Sequence, residues 1–134
     1  MDAAAAHFGF TKLVVVDLDA SAAFYATVFG VAEQYRIHAE IAGRSIDEIL
    51  FSATAPAAAT FALLRFADQA TASYAEVILG FITDDVDALF GRALAAGGAV
   101  AQAVEAQPQH GVRVGFLTDP EGHLIEVVEL LAPG

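Results

Sequence analysis

One series of structural signals occurs twice in this chain: an apolar run, an acidic helix start, a helix-like stretch and a glycine. Asp17 begins the first helix-like stretch and Gly30 ends it, and Asp84 and Gly97 have the same spacing in the second. The two copies are 67 residues apart, half of the 134-residue chain. A repeat of this kind marks a duplicated structural unit. The sequence therefore predicts two similar units, with any functional cleft shaped by both.

Each half also contains three further strand-like runs. Short apolar or alternating segments between glycine, proline and polar residues are typical of strands. The first helix is expected to have Asp19 as its N-cap and to end at Gly30, and the second to cover residues 85–96. Gly43 is expected to carry the turn between the second and third strands. Strands are expected at residues 8–16, 33–41, 45–52, 60–66, 76–82, 100–104, 113–117 and 124–130.

These elements predict an α+β fold in one domain. With 57% apolar residues in 134 positions, the chain can bury one core. Two βαβββ modules are expected, at about residues 8–67 and 74–131 of a single domain, 1–134. The polar stretch 68–73 is the expected junction between them.

The charge of the chain restricts its partners. The formal net charge is −11, and cysteine is absent. A strongly acidic protein repels nucleic acid and anionic membranes, so neither is an expected partner. No apolar run reaches the roughly 18 residues of a membrane span, and the N-terminus lacks the pattern of a secretory signal. A cytoplasmic location is expected, since the lack of cysteine fits a reducing compartment.

Two segments resemble a known family. Residues 17–30 (DLDASAAFYATVFG) look like the first strand-to-helix passage of the vicinal oxygen chelate superfamily, and residues 116–126 (FLTDPEGHLIE) look like its last two strands and their turn. The superfamily includes glyoxalase I, extradiol dioxygenases, fosfomycin-modifying enzymes and the bleomycin resistance proteins. The resemblance implies paired βαβββ modules forming an open curled sheet around a cavity.

The resemblance also implies where a metal would be held. Enzymes of the superfamily hold a divalent ion with ligands on four strands, and the matching positions here fall at Phe10, near Leu63, near Ile78 and at Glu126. Only Glu126 has a donor atom, and a shift of two residues on the fifth strand would add Glu76. Since a catalytic zinc site needs about three protein ligands, we expect no metal and no cofactor. This expectation argues against classical glyoxalase I chemistry and against extradiol dioxygenation.

The same positions predict the cavity lining. Side chains alternate between the two faces of a strand, which would place Val14, Leu124 and Val128 in the cavity. His110 lies in a loop expected at the cavity mouth, although a surface or hydrogen-bonding role is the favoured interpretation of each histidine. The predicted ligand-binding residues are Phe10, Lys12, Phe61, Leu63, Arg65, Ile78 and His110.

Two of these charged positions have alternative explanations. Lys12 either pairs with Glu126 or Glu76, or binds an anionic ligand group, because buried charges are normally paired. Glu126, the predicted catalytic residue, either serves the ligand or pairs with Lys12 or Arg65 for structural reasons.

Two functions remain open on the sequence alone. The first is a metal-free protein that binds and sequesters a small amphipathic compound, as the bleomycin resistance branch implies. The second is a lyase or isomerase, similar to lactoylglutathione lyase, that uses Glu126 as a base with or without a weakly bound metal. A homodimer is expected for either function, because the apolar content leaves surface to cover.

Overall fold

The computed structural model describes residues 8–70 and 77–131 of the chain. Each module follows the predicted order of strand, helix and three strands. The first contains β1 (Phe10–Val14), α1 (Leu18–Phe29), β2 (Glu33–Ile41), β3 (Arg44–Phe51) and β4 (Thr60–Phe66). The second contains β5 (Ile78–Thr83), α2 (Val86–Ala95), β6 (Ala99–Gln107), a 3₁₀ turn (Pro108–His110), β7 (Val112–Thr118) and β8 (Leu124–Leu130).

The strands form two four-stranded sheets of identical topology. Their orders are β1-β4-β3-β2 and β5-β8-β7-β6. In each sheet the first and last strands of the module pair in parallel, and the remaining pairs are antiparallel. The predicted α+β fold of two βαβββ modules with open sheets is confirmed. The exact module boundaries stay a prediction, because the junction at 68–73 lies partly outside the described residues.

The helix starts follow from side-chain capping. Asp17 precedes α1, and its carboxylate accepts a hydrogen bond from the backbone N–H of Ala20. Asp85 does the same for Ala88 at the start of α2. The prediction of Asp19 as N-cap was therefore wrong: α1 begins at Leu18, so the free N–H groups of its first turn lie within reach of Asp17. Gly30 ends α1 in the left-handed conformation, as predicted, with φ of 72°.

Each helix covers one face of its own sheet, and the two modules share a core. Leu13, Ile49 and Leu63 of the first sheet join this core, as do Leu117 and Ile125 of the second. An aromatic cluster connects the modules; its tightest contact stacks Phe29 on Phe81, with ring centroids 3.9 Å apart. The cluster contains Phe24, Tyr25, Phe29, Phe61 and Phe81. Neither helix of the described part is long and apolar enough to span a bilayer.

A buried hydrogen-bond network fixes the β7–β8 turn of the second module to the first module. One oxygen of Asp119 accepts from the Tyr25 hydroxyl (2.8 Å), and it is 2.7 Å from Nδ1 of His123. The other imidazole nitrogen, Nε2, lies 3.1 Å from the carbonyl oxygen of Val14. Since both ring nitrogens face oxygen acceptors, the protonated imidazole satisfies both contacts. In the same turn, Glu121 accepts hydrogen bonds from the backbone N–H groups of Val16 and Asp17, between β1 and α1.

This network shifts the pKa values of its members. Burial lowers the pKa of His123, but the hydrogen bond and charge of Asp119 outweigh burial and raise it overall. Burial raises the pKa of Asp119, but its hydrogen bonds from His123 leave it below its usual value. Burial, followed by the charge of Asp119, raises the pKa of Tyr25. The network therefore contains an ion pair within the β7–β8 turn, and its contacts with Tyr25 and Val14 join the two modules. It explains His123 as a hydrogen-bonding histidine.

Candidate functional site: two open sheet faces

The face of each sheet that points away from α1 and α2 is not covered by any helix of the described residues. We call these the first and second open faces. Strand register assigns their members, because paired residues share a face. The first open face contains Phe10, Lys12, Val14, Tyr35, Ile37, Ile46, Glu48, Leu50, Ala62, Leu64 and Phe66. The second contains Ile78, Gly80, Ile82, Val114, Phe116, Leu124, Glu126, Val128 and Leu130.

A buried ion pair lies within the first open face. Nζ of Lys12 is 2.9 Å from one carboxylate oxygen of Glu48. The Glu48 side chain is 1% exposed, whereas that of Lys12 is 35% exposed. Lys12 also lies near the ring of Phe10, with Nζ 5.8 Å from the centroid. Pairing with Glu126 or Glu76 was one of the alternatives for Lys12. Lys12 pairs instead with Glu48 of its own sheet, not with Glu126; Glu76 lies outside the described residues.

Three predicted cavity residues on β4 do not share a face with Lys12. Lys12 pairs with Ala62, so Phe61, Leu63 and Arg65 point to the helix side. Leu63 is fully buried in the core, and Phe61 packs against that core. From the sequence, these three residues were expected on the same face as Lys12, and this placement was wrong by one residue on β4. A slip of one residue turns every side chain of a strand to the opposite face of the sheet.

Arg65 belongs to a polar cleft at the start of α1. Its Nε donates to the carbonyl oxygen of Val16, and its guanidinium lies 4.0 Å from Asp47. On the neighbouring strand, Asp47 is 2.9 Å from Nδ1 of His38. The cleft has a volume of about 760 Å³ and also includes Arg36. Its cations face nearby carboxylates, so it is a network of surface ion pairs.

The second open face brings together two predicted residues, Ile78 and Glu126. Ile78 pairs with Leu124, and Glu126 pairs with Gly80 on one side and Phe116 on the other. Glu126 is half-buried and has no ion-pair or hydrogen-bond partner among the described side chains. The alternative that Glu126 pairs with Lys12 or Arg65 for structural reasons is therefore wrong. A side chain added at Gly80 would meet no atom of the described residues within 4 Å, so the carboxylate borders open space there.

The remaining predicted residue, His110, is exposed in the 3₁₀ turn between β6 and β7. It lies next to the end of the sheet where Val112 pairs with Leu130, away from Ile78 at the opposite end. A separate cleft of about 830 Å³ between the modules is lined by Phe61 and Ile78, among others. The structure thus distributes the predicted site residues over several surfaces.

The donor set does not fit a metal of the type that the superfamily resemblance implies. Phe10 is a hydrocarbon on the first open face, and Ile78 and Gly80 flank Glu126 on the second. Among residues 8–70 and 77–131, no three His, Cys, Asp or Glu side chains lie close enough together to hold an ion. The absence of metal and cofactor stays a prediction.

Sequence reasoning missed Glu48, although a signal for it was present. In the run Ile46, Asp47, Glu48, Ile49, Leu50, alternation places Glu48 on the same face as Ile46 and Leu50. A carboxylate between two apolar neighbours on one strand face is the same pattern that identified Glu126.

Fold and site together describe a protein with paired βαβββ modules and a largely apolar face on each sheet, opposite its helix. The chain belongs to the Glyoxalase/Bleomycin resistance protein/Dioxygenase superfamily, whose sequence profile matches residues 5–127. No curated protein is similar enough to count as a match.

Solved structures support this assignment. A glyoxalase-related enzyme from Fulvimarina pelagi is 25% identical, with a TM-score of 0.66 over 92% of this chain and 87% of that chain. TioX from Micromonospora sp. ML1 is also 25% identical, with a TM-score of 0.65 over 94% of this chain and 100% of that chain. A glyoxalase family protein from Bacillus cereus has a TM-score of 0.77 at 18% identity, covering 92% and 93% of the two chains, which shows a shared fold.

Proposed function

We propose that this protein binds a small amphipathic compound on its open sheet faces without a metal ion. The observation that carries the proposal is the exposure of large apolar side chains around a few charges on these faces. Phe10 is 60% exposed, Ile78 57% and Ile82 73%. Ile78 and Ile82 share the second open face, and large exposed apolar patches usually mark binding sites. Lys12 on one face and Glu126 on the other supply the polar contacts that orient a ligand.

Binding of a neutral probe tests the proposal. Phenylnaphthylamine fluoresces when it enters an apolar site, so its titration gives a dissociation constant. We expect saturable binding that Ile78→Ser weakens several-fold, because the substitution removes apolar area from the second open face. Leu94→Ser is the matched control, since Leu94 is 52% exposed on α2, away from both open faces. Binding that is absent, or equally weakened by both variants, would contradict the proposal.

A lyase or isomerase that uses Glu126 as its base is the second candidate. It is favoured by the isolated carboxylate of Glu126, which borders open space beside Gly80. A carboxylate within hydrogen-bond reach of a substrate C–H or O–H can act as a general base. The test is turnover of the glutathione–methylglyoxal adduct, with and without added divalent ions. Turnover that Glu126→Gln abolishes would place this candidate first.

A further inference from the structure

Glu48 is a buried carboxylate with few contacts to stabilise its charge. Both of its oxygens are inaccessible to solvent, and neither has a hydrogen bond of good geometry. Lys12 Nζ, 2.9 Å away, is its one charged neighbour among the described residues. Because an unpaired buried charge is costly, Glu48 holds the Lys12 ammonium at this point of the sheet.

Lys12 presents the accessible end of this pair. An ammonium has three N–H donors, and the described part of the chain provides one ion-pair acceptor, Glu48. The side chain is 35% exposed, so ligand atoms can reach the remaining donors. The surrounding surface is apolar: Phe10 lies beside Lys12 on β1, and Tyr35 and Ile37 are exposed across the same face.

We propose that the first open face binds an amphipathic molecule through an anionic oxygen group, such as a carboxylate or sulfonate, that contacts the Lys12 ammonium. The apolar body of the molecule covers Phe10, Tyr35 and Ile37, and Glu48 acts as a positioning residue for Lys12. This inference rests on the proposed binding function and adds the chemical class of the ligand.

The geometry favours an anion over a cation. The Glu48 oxygens are covered, so a ligand meets the positive end of the pair and not the negative end. The net charge of −11 opposes anions at long range, but salt screens that repulsion beyond about 8 Å at physiological ionic strength. A direct contact with an ammonium is screened much less.

A matched set of probes tests the ligand class. Anilinonaphthalene sulfonate and phenylnaphthylamine share a ring system and differ by the sulfonate. We expect the sulfonate probe to bind about tenfold more tightly than the neutral probe, because one charge-assisted hydrogen bond contributes about that factor. The double variant Lys12→Met with Glu48→Gln removes both charges and leaves no buried charge unpaired. It should lose this tenfold preference and bind the two probes with similar affinities.

The other possible results would overturn the anionic ligand class or both proposals. Equal binding of the two probes, or a preference that survives in the double variant, overturns the anionic ligand class while the proposed function stands. Tighter binding of a trimethylammonium analogue also overturns it. Failure of the neutral probe to bind overturns both proposals. Lys12→Arg keeps the charge, so it should keep the preference for the sulfonate.

The role of Glu48 has its own readout. Lys12 is the single lysine of the chain, so reductive methylation with labelled formaldehyde gives one side-chain signal in the NMR spectrum. The α-amino signal is distinguished by its lower titration range. In the native protein we expect a Lys12 signal broadened by immobilisation, which the sulfonate probe shifts. Glu48→Gln should sharpen it to that of a freely rotating lysine. An unchanged signal would show that Glu48 does not position Lys12.

Discussion

The Lys12–Glu48 pair combines a fully buried charge with a partly exposed one. Removing the exposed partner leaves Glu48 without compensation, whereas removing both charges does not. We expect Lys12→Met to lower the free energy of unfolding by about 3 kcal/mol, and the double variant Lys12→Met with Glu48→Leu to recover most of that loss. Urea denaturation of the two single variants and the double variant measures this coupling. Additive losses would contradict it.

Glu126 should behave differently, because it has no ionic partner among the described side chains. Replacing it with glutamine preserves its shape and breaks no ion pair. We expect Glu126→Gln to change the melting temperature by less than about 2 °C, a small surface effect. Binding or turnover that involves this carboxylate should fall in the same variant. A large loss of stability with binding intact would refute the functional role of Glu126.

The Asp119–His123 pair makes stability depend on pH in both directions. The lowered pKa of Asp119 gives a contribution that is present above about pH 4 and is lost as pH falls through the folded value. The raised pKa of His123 gives a contribution that is present below about pH 6.5 and is lost as pH rises through the folded value. The free energy of unfolding should therefore decline as the pH rises above about 6.5.

The control for this pH effect is His123→Gln. Glutamine keeps a hydrogen-bond donor for Asp119 but does not titrate. In this variant the free energy of unfolding, measured by chemical denaturation, should no longer show the decline due to this pair above about pH 6.5. A decline of equal size in both proteins would assign it to other groups.

At the scale of residues, sequence reasoning identified which side chains are chemically unusual but not which ones meet. Lys12 and Glu126 were recognised because charges are rare among apolar strand neighbours. The partner of Lys12 was missed, because pairing depends on register between strands that are distant in sequence. Glu48 lies opposite Leu64 on β4 and Ile37 on β2, and no local pattern specifies that register.

Two glycines of the second module test how closely α2 packs on its sheet. A Cβ added at Gly98 would lie 2.8 Å from the carbonyl oxygen of Thr118 and 3.0 Å from that of Ala93, whereas one at Gly91 would meet nothing within 4 Å. Gly98→Ala should therefore destabilise the protein by more than about 1 kcal/mol, because backbone atoms must shift. Gly91 is an exposed position within α2, so Gly91→Ala should stabilise the protein by about 0.5–1 kcal/mol. Thermal unfolding of both variants would show opposite signs, and equal effects would contradict the packing described here.

At the scale of elements, the repeat was a sufficient guide to order and type. Helix and strand positions agree with the sequence because capping residues, glycines and apolar runs act locally. Which side chains of β4 point to the helix side of the sheet could not be predicted in the same way. Residues 61–66 are largely apolar on both sets of alternate positions, so hydrophobicity does not distinguish the helix side from the open side. On β8 both sets contain a glutamate, Glu126 in one and Glu129 in the other, so Glu126 was assigned to the cavity side by the family resemblance and not by hydrophobicity.

For the whole molecule, the sequence predicted the duplicated architecture but not the distribution of the site. The cavity was expected to combine residues of β1, β4, β5 and β8 in one chamber. The structure instead shows Lys12 and Glu126 on separate open faces, one in each sheet. What covers the two open faces depends on the molecules that bind to them, and the local sequence pattern of one chain does not specify those molecules.

The exposed apolar area leads to the last prediction, a homodimer in which a second copy completes the walls of the ligand site on the open faces. Ile82 and Leu130 are 73% and 63% exposed on the second open face, and exposed apolar patches are a common feature of association surfaces. Sedimentation at micromolar concentration should give twice the chain mass of 13.9 kDa. Ile82→Glu would place a charge in that interface and should shift the equilibrium to monomer, because an unpaired charge is costly to bury. Leu94→Glu on α2 is the control and should stay dimeric. A native protein that sediments with the mass of one chain would refute the dimer, and a ligand would then have to be held by the open faces of a single copy.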